Sequence, residues 1–154
     1  MPIPALNVHG LLPKGIHDCS MEEIRALFSS TDRRHKRAKL FKNLETFIGW
    51  IRPVKCFKFI YIDGSFVTDK DVPGDIDIFL ELPPPSRKIL KLLEEMKIDD
   101  QSYAREKFAL HAFLFVQNSP GLDLRAFFQY VRREDAEKRG LQPSETKGIL
   151  RIAL

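Results

Sequence analysis

The fold of this chain is decided by residues 57–82, which read FKFIYIDGSFVTDKDVPGDIDIFLEL. Residues 57–62 are an apolar run of strand-forming side chains. The run stops at an Asp-Gly-Ser tripeptide, residues 63–65, whose small residues favour a tight turn with an accessible backbone. Residues 75–82 then place isoleucine or leucine at every second position. This period of two predicts a second strand after the turn.

The same alternation places the acidic residues of the second strand on one face, opposite its isoleucine and leucine side chains. Asp75 and Asp77 are separated by one residue, which on a strand puts their Cα atoms about 6.5 to 7 Å apart. Two ionised carboxylates at that separation repel each other unless water or a cation lies between them. Hard oxygen ligands on a stiff strand suit Mg²⁺ or Mn²⁺, so Asp75 and Asp77 are predicted metal ligands. The polar face of an ordinary half-exposed strand would show the same pattern.

The turn and the two acids together resemble the nucleotidyltransferase superfamily that includes DNA polymerase beta and the minimal nucleotidyltransferases. The matching features are Gly64-Ser65, a spacer of nine residues, and then Asp75 and Asp77 on the next strand. The resemblance implies that Gly64 and Ser65 hold the triphosphate of a nucleotide while Asp75 and Asp77 bind Mg²⁺. The residues themselves suit these roles, because a backbone without a side chain lets a phosphate approach peptide N–H groups. Lys70, in the spacer, is a predicted nucleotide contact, with a solvent-facing loop lysine as the alternative.

The sequence departs from this superfamily at a third acid, which usually projects from a later strand beside the first two. The corresponding segment, residues 109–116, carries no carboxylate, and His111 occupies the position that matches best. A neutral imidazole can accept a proton or bind a metal, although it is a softer and less anionic ligand than aspartate. His111 is therefore the predicted third catalytic residue, with simple packing beside Phe113 as the alternative. Asp123 is a second candidate, but its position suits a helix cap better.

Length and composition favour one globular domain spanning residues 1–154. The chain has 154 residues, of which 44% are hydrophobic, and this is enough to bury a self-sufficient core. The net charge of +4 is mild and its positive residues are interleaved with acids, so RNA binding is allowed but not required. No apolar run is long enough for a membrane span and no leader is recognisable, so we expect a cytoplasmic protein with no membrane partner.

Periodicity along the rest of the chain predicts further elements around this central unit. Residues 1–19 are rich in proline and glycine and predict an extended segment packed on the domain. Helices are predicted over 21–29, from a boundary at 29–32 to 51, from the cap at Ser86 to 96, and over 122–139. Strands are predicted over 108–116 and 148–154. A polar connection is predicted over 99–106. The basic cluster at 33–37 predicts a solvated helix face, with a phosphate- or RNA-binding patch as the alternative. The order of elements predicts an α/β (α+β) domain, a nucleotidyltransferase-like mixed sheet of four or five strands with helices largely on one face.

Two functions follow from the sequence. The resemblance implies a metal-dependent enzyme that transfers a nucleoside monophosphate from a nucleoside triphosphate to a hydroxyl of a protein, RNA or small molecule. Superfamily members of this size often act beside a partner protein as toxin or antitoxin components, so a protein acceptor is expected by analogy. Because the third acid is missing, the alternative is a catalytically weakened binding module of the same fold that neutralises or recruits a partner protein.

Overall fold

The computed structural model describes residues 2–29, 35–98 and 100–154, which build a mixed sheet. Its strands are β1 (Gly15–Asp18), β2 (Phe59–Asp63), β3 (Ile76–Leu82), β4 (Leu110–Val116) and β5 (Gly148–Ala153). They form one five-stranded sheet in the order β1-β5-β2-β3-β4. β2 is antiparallel to both β3 and β5, whereas β1 runs parallel to β5 and β4 runs parallel to β3. The predicted mixed α/β architecture is confirmed.

Helices connect these strands. They are α1 (Met21–Ile24), α2 (His35–Ile51), α3 (Arg87–Glu95), α4 (Gln101–Phe108), α5 (Leu124–Phe127) and α6 (Arg133–Lys138), and a π-helical turn at Arg25–Ser29 continues α1. The predicted capping box forms at the start of α1, where the Ser20 hydroxyl accepts from the Glu23 N–H and the Glu23 carboxylate accepts from the Ser20 N–H. None of the helices within the described ranges combines the length and apolar character needed to cross a membrane.

Alternation along the strands separates the two faces of the sheet. One face carries Ile60, Ile62 and Ile78, all fully buried in a large cluster with the apolar side of α2. The opposite face carries Tyr61 and Phe79, whose rings stack with centroids 4.3 Å apart in a smaller cluster. The larger cluster supplies most of the apolar burial that stabilises the fold. The smaller cluster leaves room on its face for polar side chains at one end of the strands.

Two predicted segments are wrong at the level of secondary structure. The predicted polar connection over 99–106 contains α4, because the Asp100 carboxylate accepts from the Tyr103 N–H at 3.1 Å and Phe108 packs into the core. The predicted helix over 122–139 is interrupted, because Tyr130 makes an antiparallel bridge with Thr146 between α5 and α6. Phe127, predicted to be buried in that helix, is therefore 52% exposed.

Two further predictions concern the N-terminal part of the chain. The extended segment predicted over 1–19 enters the sheet at residues 15–18, because β1 finds a parallel partner in the distant β5. The structure does not describe residues 30–34. Most of the predicted helix boundary at 29–32 and two residues of the basic cluster, Arg33 and Arg34, therefore lie outside the described residues. Arg37, predicted to belong to a solvated face, is fully buried.

The buried Arg37 side chain organises residues 64–70, hereafter the 64–70 loop. Its guanidinium donates hydrogen bonds to the backbone carbonyls of Phe66 and Lys70 and, at 2.8 Å, to the carbonyl of Thr68. The guanidinium carbon also lies 5.4 Å from the centroid of the Phe66 ring, within cation–π range. Carbonyls of an irregular loop need donors when water is excluded, and arginine offers five N–H groups in a fixed fork. Arg37 thus fixes the position of the loop that follows β2.

We expect Arg37→Met to lower the free energy of unfolding by at least about 3 kcal/mol, because several buried carbonyls of the 64–70 loop lose their donors. Lys39→Met removes a positive charge from an exposed position on the same helix and should change stability by about 0.5 kcal/mol or less. Urea denaturation of both variants measures the difference. Equal stability of the two variants would contradict the role assigned to Arg37.

Candidate active site

Three polar side chains lie in one row across neighbouring strands. In the register of the sheet, Asp63 of β2 lies opposite Asp77 of β3, and Asp77 lies opposite His111 of β4. Residues paired in this way project from the same face, here the face of Tyr61 and Phe79. The strand pairing therefore brings together chemically reactive side chains from three separate parts of the sequence.

Gly64 turns the chain immediately after this row and approaches Asp77 closely. Its backbone has φ +85° and ψ −170°, a conformation that is restricted almost entirely to glycine. A Cβ atom at this position would lie 2.7 Å from Asp77 Oδ2, closer than normal contact allows. The turn predicted from the Asp-Gly-Ser tripeptide thus requires glycine for two independent reasons. Ser65 follows it at the start of a 3₁₀ turn, Ser65–Val67.

A cavity of about 820 Å³, hereafter the cleft, opens beside this turn. Among the residues that line it are Gly64, Ser65, Lys70, Asp75 and Asp77, so the structure brings five of the six site residues predicted from the sequence to one cavity. Its other lining residues include the carboxylates Asp63 and Asp135, the cationic side chains Arg105, Arg132, Arg139 and Lys147, and the aromatic side chains Phe127, Phe128 and Tyr130. The cleft thus combines carboxylates at the ends of β2 and β3 with cationic and aromatic side chains from other elements.

His111, the sixth predicted residue, contacts Asp77 and is not among the residues that line the cleft. Its Nδ1 atom lies 3.5 Å from Asp77 Oδ1, and its Nε2 atom lies 3.2 Å from Oε1 of Gln101. Its ring also packs on Phe113 with centroids 4.5 Å apart. Both interpretations made from the sequence, a site residue and a packed histidine, therefore describe part of its surroundings. Asp123 caps α5, as its position in the sequence predicts.

Asp63 is the carboxylate that sequence analysis missed. It was assigned to the turn, although Phe59, Tyr61 and Asp63 continue the alternation of β2 and so share one face. Asp63 is only 5% exposed and its carboxylate forms an ion pair with Lys147, at the other end of the chain. No local pattern at Lys147 indicates this contact, because 84 residues separate the two partners.

Comparison with known proteins identifies the family. The model described as "Family of unknown function (DUF6932)" matches residues 4–153. The chain belongs to the DUF6932 family. No curated protein matches its sequence. A solved structure of a candidate nucleotidyltransferase from Sulfolobus solfataricus aligns at 15% identity with a TM-score of 0.37, over 59% of this chain and 79% of that one. A likeness this distant does not establish function, so the chemistry of this DUF6932 protein is derived from its own residues.

Electrostatics at the row of acids disfavour the ionised state. Burial raises the pKa of Asp77, and the negative charges of Asp75 and Asp63 raise it further, while Arg132 and His111 act in the opposite direction. Burial likewise raises the pKa of Asp63, and the Lys147 ammonium opposes that rise. A cation placed near Asp77 would relieve both the repulsion and the cost of burial.

The donor atoms of this DUF6932 site fit Mg²⁺ or Mn²⁺ bound together with a phosphate ligand. Within residues 2–29, 35–98 and 100–154, no three Asp, Glu, His or Cys side chains converge as a complete metal cluster. Asp63 is paired with Lys147, so Asp75 and Asp77 are the carboxylates available to an ion beside the Gly64 turn; Asp135, from α6, also lines the cleft. Mg²⁺ typically takes one or two carboxylates and completes its shell with water and phosphate oxygens. The chain therefore offers part of a coordination shell, which water and phosphate oxygens would complete.

We expect Gly64→Ala to lower the free energy of unfolding by about 1 to 3 kcal/mol, because alanine strains this backbone conformation and displaces the Asp77 carboxylate. Gly49→Ala is the matched control: Gly49 lies exposed inside α2, and a Cβ there meets nothing within 4 Å. The control should gain about 0.5 to 1 kcal/mol. Urea denaturation measures both changes. Stabilisation of the Gly64 variant would show that this turn is not strained.

We also expect Asp77→Asn to stabilise the metal-free protein at pH 7. An acid whose pKa is raised by folding destabilises the native state once it ionises. This destabilisation disappears as the pH falls to 3.8, the ordinary pKa of the carboxyl group. The advantage of Asp77→Asn should thus shrink between pH 7 and pH 4, as measured by unfolding in EDTA. Asp71→Asn, at an exposed position, should show no such change. A variant that is less stable than the native sequence at both pH values contradicts this electrostatic account.

Proposed function

We propose that the cleft binds a nucleoside triphosphate with Mg²⁺ and transfers its nucleoside monophosphate to a hydroxyl acceptor. The observation that carries this proposal is the placement of Gly64, Ser65, Asp75 and Asp77 on one cavity. A metal-ligating pair of carboxylates beside a backbone that a phosphate can approach suits phosphoryl and nucleotidyl transfer.

The cations of the cleft suit the triphosphate. Lys70, Arg105 and Arg132 line the same cavity as the Gly64-Ser65 turn, and a triphosphate carries several negative charges that such side chains attract. The Arg37 contacts hold Lys70 and its neighbours in a defined loop, so the backbone around the phosphates needs little reorganisation on binding. The role of the chain is then mainly to position the reactants.

The aromatic side of the cleft suits the base. Phe127 is 52% exposed and Tyr130 is 59% exposed, and both line the cavity. Base stacking on an aromatic side chain contributes about 1 to 3 kcal/mol and needs no particular base. A cavity lined both by cations and by exposed aromatic rings complements a nucleotide better than it complements inorganic phosphate.

A bound Mg²⁺ would neutralise the charge that develops on the transferred phosphate. Asp75 and Asp77 would hold the ion, and His111 would keep the Asp77 carboxylate in place from the next strand. The prediction that the His111 imidazole takes the proton of the acceptor hydroxyl stays a prediction. We place a protein acceptor first, within a toxin–antitoxin or defence-type pair in the cytoplasm, by analogy with the superfamily alone.

A second candidate function is a binding module that holds nucleotide and Mg²⁺ without transfer and recruits or neutralises a partner protein. The ion pair between Asp63 and Lys147 favours it, because one of the two carboxylates of the row already has a counter-charge. Labelled nucleoside triphosphates added to a lysate with Mg²⁺ or Mn²⁺ separate the two. Labelled acceptor supports transfer, and binding without labelling supports the module.

We expect Mn²⁺ plus a non-hydrolysable triphosphate to raise the Tm of the native protein. Asp75→Asn and Asp77→Asn should each reduce that rise, because each should lower the apparent metal affinity at least about tenfold. The rise is compared with each variant's own metal-free Tm. Asp71→Asn serves as the control, since it removes one exposed carboxylate outside the cleft. If both cleft variants keep the full rise, the metal site has been assigned to the wrong residues.

A further inference from the structure

Lys147 is a partly buried cation held in place from two directions. Its side chain is 13% exposed and pairs with Asp63, whose side chain is 6% exposed. Its backbone N–H donates to the carbonyl of Gln129 at 2.7 Å, and the next residue, Gly148, begins β5. Lys147 also lines the cleft. Its ammonium is thus a fixed part of the site and not a mobile surface charge.

Asp63 needs this cation because of where the sheet puts it. A buried carboxylate is stable only with a counter-charge or with hydrogen bonds to its oxygens. Asp63 also lies directly opposite Asp77 in the strand register, and side chains in such pairs have Cβ atoms about 4.5 to 5.5 Å apart. Two adjacent carboxylates can be neutralised by a divalent ion between them or by a cationic side chain on one of them. Since a lysine ammonium and a metal ion repel each other, the ammonium beside Asp63 disfavours a metal ion between the Asp63 and Asp77 carboxylates.

We propose that Lys147 occupies the role of a second metal ion, so that the cleft takes one divalent ion, at Asp75 and Asp77, and excludes another between Asp63 and Asp77. This inference rests on the proposed function. Lysine suits the role because its ammonium is a compact point charge with three donors. Lys147 is a positioning residue in this scheme, since it acts on the carboxylates.

The test counts Mn²⁺ ions by isothermal titration calorimetry in the presence of saturating non-hydrolysable triphosphate. We expect one ion per chain for the native protein and two for Lys147→Gln, with Lys147→Arg remaining at one because it keeps the charge. The double variant Lys147→Gln/Asp63→Asn should return to one ion, because the second site loses a ligand. Lys58→Gln removes an exposed positive charge outside the cleft and should also bind one. Low-temperature electron paramagnetic resonance adds a readout, since two Mn²⁺ ions at bridging distance couple magnetically.

Each outcome has a distinct meaning. One ion in both the native protein and Lys147→Gln overturns the inference and leaves the proposed function intact. Two ions in the native protein also overturn it. Should Lys147→Gln fold only when Mn²⁺ is present, the ions are counted after refolding in Mn²⁺: a count of two supports the inference, and a count of one or a failure of Mn²⁺ to restore the fold overturns it. If the native protein binds no Mn²⁺ with or without triphosphate, the proposed function fails and this inference fails with it.

Discussion

The hydrogen bonds from Arg37 to the carbonyls of the 64–70 loop are the constraint on which the cleft depends. Arg37 lies on the core side of α2, one turn before Leu40, so the packing of that helix also fixes the guanidinium. The guanidinium in turn fixes the backbone of the 64–70 loop. A loop whose own regular hydrogen bonding is confined to one 3₁₀ turn would otherwise sample many conformations and lose entropy on binding a ligand. The hydrophobic core thereby sets the geometry of a polar site.

The sheet face that carries Tyr61 and Phe79 has an apolar part that stabilises the fold and a polar part that contributes to the cleft. Near its middle, Tyr61 and Phe79 stack and Phe128 packs over Phe79 with ring centroids 5.1 Å apart, which stabilises the sheet. At its end, Asp63 and Asp77 meet, and their proximity and burial oppose folding. Acidic side chains that disfavour the native state are typical of sites where a ligand or ion is expected to compensate. The two adjacent acids lower the free energy of unfolding, and this placement suits a ligand-binding site better than a structural role.

Local patterns in the sequence predicted the elements that local physics determines. The alternation of β3, the capping box of α1 and the positive φ of Gly64 depend on neighbouring residues, and all three appear in the structure. The close approach of Gly64 to Asp77 depends instead on the pairing of β2 with β3. β1 was missed because four residues become a strand only through a distant partner. Arg37 was misassigned because charge suggests exposure, although its spacing from Leu40 and Leu44 places it on the buried side of α2.

The cleft draws its charges from three separate parts of the chain. Residues 63–77 supply most of its carboxylates and α4 supplies Arg105, whereas the C-terminal part supplies Arg132, Asp135, Arg139 and Lys147. Arg139 bonds to Asp69 at 2.9 Å and Lys147 pairs with Asp63, so both contacts span 70 residues or more. The position of β5 explains the contact between Lys147 and Asp63. β5 lies between β1 and β2 in the sheet, and Lys147 immediately precedes it. The Gly-Ser turn and the two aspartates can be recognised in isolation, but their electrostatic surroundings form only when the complete sheet assembles. Under the proposed function, the motif residues would bind the nucleotide and its ion, and the contact between Lys147 and Asp63 would limit how many ions the cleft can hold.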